Sequence, residues 1–83
     1  MNVIKVQILG LDNHDPTRSL RHNVLNAVEK LNIIIRLEEI EDIDEFLSYD
    51  LYGIPAMTIN GQLVFQQQVP SVECLVNTLH NHC

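Results

Sequence analysis

A β-branched apolar run, an amphipathic helical stretch and a second β-branched run follow one another at the start of this 83-residue chain. That order constrains the fold more than any single residue does. A strand, a helix and a strand joined in one sheet cross over right-handedly in about 98% of cases, with the strands parallel. Val3 to Leu9 (VIKVQIL) is nearly continuous in apolar character, as in a strand covered on both faces. After Gly10 comes a polar loop ending in Asp15-Pro16, which reads as an N-cap followed by proline at the first helical position. Leu20, Val24, Ala27, Val28 and Leu31 then recur at helical spacing, with Arg21, Glu29 and Lys30 on other faces. Asn32 closes this helix, and Ile33 to Leu37 starts the second strand.

Asp42, with Glu45 three residues on, has the pattern of a capping box and predicts a short helix over Ile43 to Tyr49, with Gly53 at its C-terminal cap. Ala56 to Ile59 and Leu63 to Gln66 flank Asn60-Gly61, the strongest short-range hairpin signal. Pro70-Ser71 starts a last helix whose apolar face is Val72, Leu75, Val76 and Leu79. The expected fold class is α/β in the order βαβ-α-ββ-α, a four-stranded mixed sheet with helices on both faces. Residues 1–83 are read as one domain, since a chain this short does not divide into two stable cores.

Charge and length remove whole classes of function. Five Lys+Arg against eleven Asp+Glu give a formal charge of −6, and a phosphate backbone is repelled by such a surface. No apolar run approaches the roughly 18 residues of a membrane span. The start, MNVIKVQIL, runs into a strand pattern without the apolar core and cleavage site of a secretory signal. Two cysteines, Cys74 and Cys83, are too few for a secreted disulfide scaffold, so the expected location is cytoplasmic.

Leu9-Gly10, the run Ile54-Pro55-Ala56-Met57-Thr58-Ile59-Asn60-Gly61, and Val69-Pro70-Ser71-Val72-Glu73 together resemble the small redox-active disulfide proteins of bacteria and archaea. These are short thioredoxin-like, glutaredoxin-like proteins, and the resemblance covers nearly the whole chain. It implies a thioredoxin-like fold and a cis Pro55 facing the loop after the first strand. It also implies that the backbone of Ile54 pairs with an extended peptide.

In that family the loop carries Cys-x-x-Cys at the start of the first helix. Here the loop is Leu11-Asp12-Asn13-His14-Asp15-Pro16-Thr17. Counting back from the helix sets His14 and Thr17 at the two cysteine positions; counting forward from Gly10 sets Asn13 and Pro16 there. Neither register supplies sulfur, and thiol–disulfide exchange requires a thiolate attacking a disulfide sulfur. Residues 13 to 17 are therefore read as a degenerate active-site loop, with no catalytic residue and no cofactor expected. The expected function is non-catalytic binding of a protein or extended peptide through Ile54 and Pro55.

Other residues carry rival readings. A lone loop histidine is ordinarily a solvated one, and the sharper reading makes His14 a general base or a ligand. Asp15 is explained as the helix cap. His80, His82 and Cys83 combine imidazole and thiol, which suit zinc, nickel or copper, though a chain terminus seldom holds four ligands in place. Cys74 and Cys83 lie nine residues apart, about 13 Å along a helix, too far to pair within it. Cys74 falls opposite the apolar face of its helix and is read as a surface thiol, with a relocated redox role, through Cys74 or Cys83, as the alternative. Seven of the eleven acids lie between Glu38 and Asp50, around Ile40, Ile43, Phe46 and Leu47, apolar positions that fit an amphipathic helix preceded by a strand end. A solvated outer face is the usual explanation of such a segment, and docking of a basic partner the other.

Overall fold

The computed structural model describes residues 3–49, 51 and 53–81. Strand β1 (Ile4–Leu9), helix α1 (Asp15–Leu31), β2 (Ile35–Ile40), α2 (Ile43–Ser48), β3 (Ala56–Ile59), β4 (Gln62–Gln66) and α3 (Val72–His80) follow in the expected order. The sheet order is β2-β1-β3-β4. Strand β1 runs parallel to β2 and antiparallel to β3, and β3 runs antiparallel to β4. This is the mixed four-stranded sheet of a thioredoxin-like α/β fold. Among the described residues no helix is long and apolar enough to cross a membrane.

The position of β1 inside the sheet explains its apolar continuity. Ile4, Val6 and Ile8 point to one face and meet Met57 and Ile59 of β3, with Leu20, Val24 and Ala27 of α1 and Leu75 and Leu79 of α3 closing the core. Leu20, Leu75 and Leu79 are fully buried. Each such side chain contributes about 1.5–3 kcal/mol by leaving water. At the hairpin, Asn60 (φ 51°) and Gly61 (φ 85°) both take positive φ, as a two-residue turn matched to strand twist requires. Asn60 also fastens the turn to β1, accepting from Lys5 N at 2.9 Å and donating its own N–H to Lys5 O at 2.8 Å.

Three sequence expectations need correction. The second strand begins at Ile35 and not Ile33. Asn32 takes a left-handed conformation, and the N–H groups of Asn32 and Ile33 turn back to Glu29 O and Val28 O, so both are consumed in ending α1. Gly53 does not cap α2, whose C-cap is Tyr49. Its role is steric, because a Cβ there would lie 2.7 Å from Gln67 Cγ and Cδ. The apolar residues of α2 do not form a buried face. Asp42 caps the helix through Asp44 N–H at 2.9 Å, yet α2 contributes no buried residue, and Ile43 and Leu47 are each 66% exposed.

The opposite face of the sheet combines the buried Leu9 and Ala56 with a set of polar contacts. Gln7 on β1, 8% exposed, sits between Glu38 of β2 and Thr58 of β3 in the strand register. Its Oε1 accepts from Thr58 Oγ1 at 2.8 Å and from Tyr49 Oη at 2.9 Å, and its Nε2 donates to Glu38 Oε2 at 3.3 Å. Tyr49 thereby brings the end of α2 to this face. Gln7→Ala leaves the buried Thr58 hydroxyl without its acceptor, an expected loss of about 1–3 kcal/mol. Adding Thr58→Val should restore part of that loss in denaturant unfolding.

The same amide holds the Glu38 carboxyl below its ordinary value of 4.5, with Lys5 and Arg36 assisting against desolvation. A depressed folded pKa gives stability that is fully present above the unfolded value and is lost as pH falls through the folded one. Acid unfolding should accordingly show a Glu38 contribution below about pH 4.5, and Gln7→Ala should flatten it.

Candidate functional site

The strand register decides which loops meet. Leu9 pairs with Ala56, so Gly10 and Pro55, the next residues outward, lie at the same end of the sheet. The Ile54-Pro55 peptide bond is cis. Pro55 is buried and Ile54 half-buried. Pro55 O accepts from Gln67 N at 2.9 Å, and Gln67 itself stands at φ 56°, which turns the end of β4 back toward this segment.

At the same end of the sheet lies the loop from Gly10 to the start of α1. Gly10 N donates to Ile40 O at 3.0 Å, and Asp12 N donates to Glu41 Oε1 at 3.1 Å. Arg21, projecting from the first half of α1, reaches Asp12 Oδ1 at 3.2 Å and Glu39 Oε1 at 2.6 Å. Its guanidinium is held further toward the charged form, chiefly by the hydrogen bond to Glu39. One arginine thus ties loop, helix and β2 together, although sequence spacing gave no signal for it. His14 N donates to Leu11 O at 3.0 Å, closing a turn that leads into the helix.

His14, and not Asp15, is the N-cap of α1, with φ −96° and ψ 115°. Asp15 is already helical; its carboxylate pairs with Arg18, and Pro16 follows in the first turn. The expectation that Asp15 caps the helix is displaced by one position. The reason is that the first intrahelical bond, from Arg18 N–H, runs to the carbonyl of His14 at 3.2 Å, while the His14 side chain makes no cap bond. His14 Nδ1 lies 3.0 Å from Thr17 Oγ1. Thr17 is 6% exposed and wedged against Gly10, where a Cβ would fall 2.4 Å from its Oγ1. Asn13, Asp15 and Pro16 are exposed, while His14 is half-buried. Within the loop, the side chains of His14 and Thr17 are hydrogen-bonded to each other.

The remaining candidates lie elsewhere. Cys74 is an exposed free thiol on the solvent face of α3, its N–H donated to Ser71 Oγ at 3.1 Å. His80 is exposed at the end of α3, and His82 and Cys83 lie outside the described residues. Among the described residues, no group of three or more His, Cys, Asp or Glu is arranged to hold a metal ion.

Comparison with known proteins covers nearly the whole chain. Residues 4–80 match the family model described as a thioredoxin domain. A thioredoxin of Methanothermobacter thermautotrophicus is 30% identical over 71 residues, which span 86% of this chain and 91% of that protein.

Proposed function

Because this chain belongs to the thioredoxin domain family, we propose that it keeps the family's scaffold as a binding module and does not exchange disulfides at the start of α1. The observation that carries this reading is the pair His14 Nδ1 and Thr17 Oγ1, 3.0 Å apart at the helix N-terminus. An imidazole and a hydroxyl occupy the spacing of a Cys-x-x-Cys, and neither forms a mixed disulfide. The chain's sulfhydryls, at positions 74 and 83, belong to the last helix and the C-terminus. The surface available for binding joins the loop Asn13 to Thr17 with Ile54-Pro55. An extended protein or peptide segment would add its backbone at Ile54, since main-chain pairing supplies affinity without a reactive group.

Two measurements test the reading. In a disulfide-reduction assay the protein should add nothing to the rate of the free reductant, and turnover that survives Cys74→Ser/Cys83→Ser would overturn it. Titration of labelled protein with an uncharged extended peptide should move the amide resonances of Ile54 and Ala56; Pro55 has no amide to report. The rival, redox work through Cys74, is favoured by one observation, the exposure of that free thiol. An alkylation rate that tracks an unusually acidic thiol would support it, and an ordinary profile would dismiss it.

A further inference from the structure

We propose that the surface of α2 beside the site loop takes a cationic amphipathic peptide segment, its apolar residues seated on Ile43 and Leu47 and its lysines or arginines set among the surrounding carboxylates. This rests on the binding reading above and names the chemistry of the partner. Ile43 and Leu47 are four residues apart, hence on one face of the helix, and each is 66% exposed. Among the described residues both side chains stay largely open, and α2 contributes no buried residue. Leu11, 40% exposed, belongs to the adjoining loop, which is joined to the start of this segment by the Gly10–Ile40 and Asp12–Glu41 hydrogen bonds.

Charge decides what fits there. The nearby cations are already engaged: Arg21 with Asp12 and Glu39, and Lys5 and Arg36 with Glu38. Among the described residues, Glu41, Asp42, Asp44 and Glu45 have no cationic partner within 4.0 Å. An apolar centre within a charged rim is the anatomy of a protein interface, and here the rim has one sign. A second copy of this chain, at −6, would bring like charge to like charge, as would an acidic peptide. A positive rim around an apolar stripe satisfies both features.

The test uses the full chain and two synthetic amphipathic peptides of equal length and identical leucine pattern, one carrying lysine and the other glutamine at the polar positions. At low salt the lysine peptide should bind roughly tenfold more tightly, shifting resonances of Leu11 and of Ile43 to Ser48. Its advantage should shrink as salt rises from about 0.01 to about 0.15 M and the screening length falls from about 30 to about 8 Å. Asp44→Asn/Glu45→Gln should weaken it several-fold, and Ile43→Ser/Leu47→Ser should do likewise without unfolding, since both side chains face solvent. Glu29→Gln/Glu73→Gln removes the same net charge from exposed sites on α1 and α3 and should leave binding unchanged.

Equal loss in that control would mean diffuse attraction and would overturn the assignment to α2. Equal affinity for the two peptides, with shifts confined to Ile54 and Ala56, would overturn this inference and leave the binding reading standing. Concentration-dependent shifts at Ile43 and Leu47 in the protein alone would assign the surface to a second copy, again overturning it. Binding of neither peptide would count against both proposals.

Discussion

Changing His14 and Thr17 together to cysteine, in a Cys74→Ser/Cys83→Ser background, is expected to produce dithiol chemistry at the start of α1. The native side chains already meet, with Nδ1 and Oγ1 3.0 Å apart. Residues three apart at a helix start bring their Cα atoms within the roughly 4.4–6.8 Å that a disulfide spans. The first position is half-buried at the N-cap and the second is buried beneath it, so one introduced thiol is reachable and the other is held in reserve to resolve a mixed disulfide. A helix N-terminus with a neighbouring thiol brings the attacking cysteine to a pKa of about 7, against about 8.5 for a free one. At pH 7 that raises the thiolate fraction from about 3% to about 50%, more than tenfold in attacking species.

Disulfide-reduction turnover of the four-fold variant against the double-serine parent measures the gain. The parallel change Asn13→Cys/Pro16→Cys separates the two registers that counting residues leaves open. Asn13 and Pro16 are both exposed. Without a buried partner thiol, that pair should release mixed disulfides slowly and stay near the parent rate. If it proves the active one, the pairing of His14 with Thr17 is incidental, and the proposed loss of redox chemistry has been located in the wrong residues.

How far the sequence reveals this molecule depends on the range of the interaction concerned. Elements fixed by local chemistry were legible: Asn60-Gly61 needs two positive φ angles and makes a hairpin, and Ser71 before Val72 accepts the N–H of Cys74 as a cap. The crossover order then sets the sheet, because chirality leaves few ways to join the pieces. Boundaries were less legible. The N–H of Ile33 is spent on ending α1, a competition that the β-branched run Ile33-Ile34-Ile35 does not display. Least legible was the wiring of the site. Arg21 finds Glu39 18 residues away, and Tyr49 finds Gln7 across 42, through side-chain bonds that leave no periodic trace. The short helix misled for a related reason. Its apolar spacing matched a buried face, but a sheet face already occupied by Gln7, Thr58 and Glu38 offers polar partners, and Tyr49 took them.

Gly10 supplies the second large effect, through space and not through backbone freedom. A Cβ added there would stand 2.4 Å from Thr17 Oγ1, 2.7 Å from its Cγ2 and 3.1 Å from its Cβ. Thr17 is 6% exposed and cannot leave for solvent, and rotating it away from Gly10 breaks its contact with His14. Gly10→Ala should therefore force the start of α1 away from the end of β1, costing about 1–3 kcal/mol as overpacking does. In a domain of this size that lowers Tm by about 4–8 °C per kcal/mol. Thr17→Ala alone should be milder, since it deletes a hydroxyl whose partner His14 is half-exposed. Combined, the two should cost less than their sum, because removing Oγ1 and Cγ2 clears the two closest contacts and leaves only the one at 3.1 Å. A double-mutant cycle in denaturant should give a favourable coupling of about 1 kcal/mol or more. Strict additivity would mean that Gly10 and Thr17 are not in contact, and the buried wedge that orients residue 17 toward His14 would have to be abandoned.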